Sequence, residues 1–176
     1  MHRFLVEVES AILFGETALN AFERTRRFVD GELATIAPAV LAQFQSAYER
    51  ADKGDPEALT HALTSCRRIL LALADTLYPA TGETVAGADG RPREMTAERY
   101  KNRIWQFVYE HSPHEDSRKL VLATVEEIGR RLDALNDLAS KGVHAEVTSA
   151  EADQCVLQVY LLAGDLLRLR SVSPTA

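Results

Sequence analysis

The stretch Asn136-Asp137-Leu138-Ala139-Ser140-Lys141-Gly142-Val143-His144-Ala145-Glu146 gathers an amide, a lysine, a histidine and two carboxylates around one glycine. An imidazole titrates near neutral pH, so His144 is the candidate general base or acid, and Lys141 can offset the charge of a phosphate. Gly142 permits a sharp turn or a close backbone approach. The same residues also make an ordinary polar turn between helices, in which His144 hydrogen-bonds a carbonyl. Both readings stand on sequence.

Two other groups carry positive charge. Arg67-Arg68 follows Cys66 in the middle of a helical pattern in which Leu63, Cys66 and Leu70 face inward. One arginine therefore sits at the edge of the buried face. It snorkels, pairs with an internal acid such as Asp75 or Asp165, or lines a pocket for a phosphate or carboxylate. The densest basic–aromatic region holds Arg91, Arg93, Arg99, Lys101 and Arg103, with Tyr100 and Trp105 interleaved. Basic groups beside stacking rings can hold a nucleotide or a single strand. Glu94 and Glu98 interrupt that run, and Tyr100, Ile104 and Phe107 fall at core spacing, so a solvated helix face is the other reading. The candidate binding residues are thus Arg67, Arg68, Tyr100, Arg103, Asn136 and Lys141, with His144 as candidate catalyst.

His111, His114 and Glu115 straddle Ser112-Pro113, a helix boundary at which the rings need not share a face, so no metal site is expected. No zinc-type Cys/His spacing, glycine-rich phosphate loop or nucleophile elbow is present, and no cofactor is called for.

The elements that must position these groups read as helices. Apolar residues recur at three- and four-residue spacing from Phe4 to about Val29, with a bend near Gly15 and an end or kink at Gly31. Pro38 opens a second helix through Leu41, Phe44 and Tyr48. Lys53-Gly54-Asp55-Pro56 is a helix–helix turn, with Gly54 ending one helix and Asp55 capping the next. That next helix carries Leu59, Leu63, Cys66, Leu70, Leu73 and Leu77 on one face and stops at Tyr78-Pro79.

Residues 79–95 form the one long irregular segment, an ordered loop or a short hairpin around Ala88-Asp89-Gly90. Thr96 caps a helix carrying Tyr100, Ile104, Trp105, Phe107 and Val108. Ser112-Pro113-His114-Glu115 reads as a capping box that opens a long helix, and Thr148-Ser149-Ala150-Glu151 as a second one. The expected fold is all-α, a single-domain bundle of five to six helices. It divides into an N-terminal helical hairpin (1–54), a bundle (55–170) and a tail (171–176).

Composition sets outer limits. With 176 residues and 46% hydrophobic content, the chain can bury a core without disulfides or metals. A net charge of −6 gives no general attraction to nucleic acid or an anionic membrane, so any such site must be a local basic cluster. No run of about 18 apolar residues exists to span a bilayer. The N-terminus lacks a signal-peptide pattern, and a cytoplasmic location is expected. Cys66 and Cys155 fall on apolar helix faces and read as buried, reduced thiols.

Asn136, the turn Lys141-Gly142-Val143-His144 and the closing Tyr160-Leu161-Leu162-Ala163-Gly164-Asp165-Leu166-Leu167 together resemble the C-terminal half of HEPN-type domains, over about residues 57–170. The resemblance implies a helical bundle of prokaryotic defence or toxin–antitoxin systems. Active members are metal-independent RNases that dimerise to build one composite site. Their pattern sets an arginine, a spacer of four to six residues, and then the histidine. Here the arginine positions hold Asp137, Leu138 and Ala139, so only His144 matches, and the cation that would stabilise a developing phosphorane is missing from the motif.

Three functions follow. The first is a HEPN-like domain that binds RNA or a nucleotide, or serves as a homodimeric module of a defence system. The second is a non-catalytic module that binds a partner protein through an apolar helix face. The third is an RNase using His144 with an arginine from elsewhere, such as Arg67 or Arg68.

Overall fold

A computed structural model describes residues 20–87, 90–112, 114–140 and 147–172, with backbone alone at 135–140 and 172. The chain is an all-α, single-domain bundle of six helices with one small two-stranded sheet among the described residues. The helices are α1 (20–36), α2 (Pro38–Lys53), α3 (Pro56–Leu77), α4 (Tyr100–His111), α5 (Glu115–Ser140) and α6 (Ser149–Val172). No helix among the described residues is long and apolar enough to cross a membrane.

Local chemistry sets most of the boundaries. Ala37 leaves helical geometry at φ −150°, and Pro38 begins α2, its absent N–H costing nothing at a first helical position. Gly31 lies inside α1, so the stop expected there is displaced to residue 37. Gly54 adopts φ +72° and ends α2, and Asp55 accepts a bond from the Ala58 N–H at 2.9 Å to open α3. The second capping box forms in both directions: the Thr148 hydroxyl accepts from the Glu151 N–H, and the Glu151 carboxylate accepts from the Thr148 N–H. Those bonds hold the Glu151 carboxyl below the usual carboxylate range.

Two expected caps are absent. Ser112 closes α4, its N–H donating to the Val108 carbonyl, while Glu115 pairs forward with Lys119. Helix α5 accordingly begins at Glu115. Thr96 does not cap α4 directly; Thr96 to Arg99 form a turn, and the helix starts at Tyr100.

The 79–95 segment contains the hairpin. Strands β1 (Thr84–Ala86) and β2 (Pro92–Glu94) pair antiparallel, with Val85 opposite Arg93. Ala88 and Asp89 of the expected turn lie outside the described residues. The hairpin is pinned at its base, where the Thr81 and Gly82 N–H groups donate to the carbonyl of the fully buried Met95.

One core unites the helices. Val29 and Leu33 of α1, Phe44 of α2, Leu63 and Ile69 of α3, Phe107 of α4, Ile128 of α5 and Val159 of α6 belong to it. Each such side chain contributes roughly 1.5–3 kcal/mol by leaving water. Gly164 brings α1 and α6 together closely enough that a Cβ would lie 3.1 Å from Val29.

Gly54 supplies a direct check on the α2–α3 turn. An added Cβ there would be strained by the positive φ and would stand 3.1 Å from the Ser149 hydroxyl. Gly54→Ala is expected to lower stability by about 1–2 kcal/mol, read as a fall in urea midpoint with an unchanged m-value.

Candidate functional site

The basic residues singled out in the sequence are mostly committed inside the fold. Arg103 is fully buried and acts as a clasp. Its guanidinium donates to Asp75 at 2.7 Å, to the Tyr78 carbonyl at 3.2 Å and to the Ala97 carbonyl at 2.9 Å. It thereby ties α4 to the end of α3 and to the turn that follows the hairpin. Its charge is spent on these acceptors of the protein's own, with Asp75 at the exposed end of the clasp.

Arg67 pairs instead with Asp133 of α5, at 2.6 Å, and Lys101 reaches the same carboxylate at 3.3 Å. Sequence reasoning had offered Asp75 or Asp165 as partners. Asp133 is distant in the chain, and only the packing of α3, α4 and α5 brings it near. Gly129 makes the approach of Lys101 possible, since a Cβ there would stand 2.7 Å from the ammonium. Tyr100 sits half-buried beside this cluster, and burial raises its phenol pKa. The structure thus gathers Arg67 and Tyr100, sets Arg103 apart as a clasp, and leaves Arg68 exposed.

The basic–aromatic run likewise closes on itself. Arg93 lies 3.7 Å above the Trp105 ring, Trp105 stacks on Tyr109, and Arg118 covers Tyr109 at 4.2 Å. These are cation–π contacts that hold the hairpin and the start of α5 against α4. His111 stacks on Phe107 and its Nδ1 meets the Phe107 carbonyl at 2.9 Å. Among the described residues no three metal-ligating side chains come together. Asn136 lies on α5 with its side chain undescribed, and Lys141 and His144 lie outside the described residues.

The two thiols meet across α3 and α6. Cys66 donates a hydrogen bond to Cys155, which with burial pushes the Cys66 pKa upward, so it stays protonated at neutral pH. Both are buried and free.

A wide open cleft lies elsewhere, on a face that no motif marked. Helices α1 and α2 diverge from Ala37 and leave a cleft of about 840 Å³ whose floor is α6. Phe22, Leu41, Tyr48, Leu157 and Leu161 line it, with Phe44 and Tyr160 beneath. Tyr160 packs edge-on against Phe44, with centroids 5.2 Å apart, and donates to Asp30 at 2.7 Å. Burial, and then that bond, push the Tyr160 pKa upward; burial with nearby acids pushes Tyr48 up to about 12. Both hydroxyls therefore remain neutral donors at physiological pH.

A second hollow, of about 360 Å³, adjoins the cleft through Leu161 and is lined by Leu120, Ala123, Thr124 and Glu127 of α5. Leu120 is 71% exposed and Phe22 60%, high for large apolar side chains. The signal for this face in the sequence was the continuous apolar run of α6, where Leu157 and Leu161 exceed what one buried stripe requires. Comparison of the chain with family models, with curated proteins and with solved structures found no match.

The clasp and the exposed arginine should separate cleanly in stability. Arg103→Met removes the donors for two carbonyls and is expected to cost about 2–4 kcal/mol. Arg68→Ala should stay within about 0.5 kcal/mol. Urea denaturation of both variants checks the assignment, and an Arg103→Met protein as stable as the parent would refute the clasp.

Proposed function

We propose that this chain is a non-catalytic, HEPN-like helical module that binds a partner protein through the α1–α2–α6 cleft. The observation that carries the reading is the set of large apolar side chains kept at the surface along one path: Phe22, Tyr48, Leu157, Leu161 and Leu120. Exposed apolar side chains scattered singly need no explanation, but a contiguous path rimmed by charge is the usual form of an interaction surface. Aromatic and leucine side chains over a rigid helical floor supply burial at low ordering cost. The fate of the cations points the same way. Arg103, Arg67 and Lys101 are engaged by the protein's own acceptors, which leaves little local charge for a nucleic acid against a net charge of −6.

A second reading, RNA binding or metal-independent cleavage at the connection between α5 and α6, has one observation in its favour. Arg67 and Lys101 meet the last third of α5 at Asp133, and Arg131 of the same helix donates to Gln154 of α6 at 2.8 Å. Arg131 thus stands on the helix that leads into the segment bearing His144, with Arg67 and Lys101 beside that helix at Asp133. Cleavage of a labelled structured RNA pool without metal, lost in a folded His144→Ala protein, would favour this reading over the first.

For the module reading, a photoreactive residue placed at Leu161 or Leu157 in cells is expected to give discrete protein adducts, identified by mass spectrometry. The same residue at Thr76, exposed on α3, should give none of them. Absence of any adduct from both cleft positions would end the reading.

A further inference from the structure

We infer that the cleft takes an amphipathic helix whose apolar face is flanked by lysine or arginine. This rests on the module reading above and adds the chemistry of the partner.

The shape argues for a helix. The α1 wall from Phe22 to Asp30 and the α2 wall from Leu41 to Glu49 each span nine residues, about 12 Å, or roughly two helical turns. Both walls present side chains, and their backbone groups are consumed within their own helices. An extended peptide would find no ladder of N–H and C=O groups to pair with, whereas a helix satisfies its own. The path does not end at the cleft but continues past Leu161 into the Leu120 hollow. A small molecule would fill one hollow only; a helix lying along the path covers both.

The charge argues for a basic flank. The cleft and its extension carry four carboxylates, Glu23, Asp30, Glu49 and Glu127, against one guanidinium, Arg26. Arg26 already stands between Glu23 and Asp30, at 3.7 and 3.8 Å, and Arg27 outside the cleft reaches Glu23 at 3.1 Å. Glu127 is paired with Arg130 and Glu49 accepts from Gln45, yet both carboxylates belong to exposed residues at the rim. The surplus is negative along an apolar floor, which favours lysine or arginine on either side of leucine-type anchors and selects against acidic flanks.

The same surplus speaks against two nearer occupants. Residues 1–19 carry Glu7, Glu9 and Glu16 against Arg3, the wrong sign for this rim. A second copy docked by two-fold symmetry would set the acidic rim against itself.

The test uses the full chain and three fluorescein-labelled peptides read by anisotropy. One is a helix of about 18 residues with leucines at three- and four-residue spacing and lysine flanks. Its companion has glutamate flanks, and the third is the segment 1–19. The lysine peptide should bind, with the glutamate and 1–19 peptides at least about tenfold weaker. Its affinity should fall about tenfold or more in Leu157→Ser/Leu161→Ser, whose fold is checked by circular dichroism and melting. Glu49→Gln/Glu127→Gln should flatten its salt dependence, and Thr76→Ala should change nothing.

Equal or tighter binding of either acidic peptide, no binding of the lysine peptide, or indifference to the leucine changes would each overturn the inference. Should cleft adducts form in cells while the peptides show no charge preference, the basic-helix partner is refuted and the interaction module stands.

Discussion

The fold turns on the burial of α6. Its apolar residues do not stop at one stripe: Val156, Val159, Tyr160, Leu162, Ala163, Leu166 and Leu167 are buried on one broad face at three- and four-residue spacing, while Leu157 and Leu161 lie beyond it. A helix of that kind is stable in water only when wrapped. Helices α2, α3, α4 and α5 all contact it, and α1 lies across it at Gly164 and Tyr160. Five helices still do not close the ring. Leu157 and Leu161 remain on the open side, at the mouth of the α1–α2 divergence, so the cleft is what is left when the wrapping of α6 is incomplete.

The electrostatics follow from the same packing. To bring α4 and the hairpin against α3, the chain buries Arg103 and offers it one carboxylate and two carbonyls. To join α3 and α4 to α5 it gathers Arg67 and Lys101 on Asp133. These contacts add little net energy at exposed positions, where solvent screens them, but they fix register among helices whose apolar faces alone would slide. Cations used in this way are withdrawn from the surface. The acids they do not neutralise are what give the cleft rim its sign.

How much of this was legible depends on the range of the interaction. Asp55, Pro56 and Gly54 announced their turn, and Thr148 with Glu151 announced a cap, because each motif closes within four residues. The hairpin was left level with a loop, since its decisive bonds run from Thr81 and Gly82 to Met95 across the whole segment. Ser112 misled because its N–H was already claimed by α4, a competition that spacing does not reveal. Arg67, Arg68, Tyr100 and Arg103 look alike in sequence as basic or aromatic groups on helices. What separates clasp, ion pair and free side chain is the identity of residues dozens of positions away. The cleft was hard to read for a related reason: Phe22 and Tyr48 fall at core spacing on their helices, and only the angle between α1 and α2 leaves them outside the core.

That angle has a consequence for how the surface can work. Apolar burial along Phe22, Leu157 and Leu161 is non-directional and would accept many hydrophobic helices. In the proposed complex, discrimination would come from the rim, where carboxylates held close to the apolar floor oppose flanks of the wrong sign. Asp30 is held in place by Tyr160, which is itself anchored against Phe44 in the core, so at least one rim charge is positioned by the bundle rather than by a flexible stem. Because Tyr160 stays protonated and donating at neutral pH, it orients that acceptor alongside the longer contact from Arg26. In the proposed complex the incomplete wrapping of α6 would supply affinity, and the pinned carboxylate beside it would supply choice.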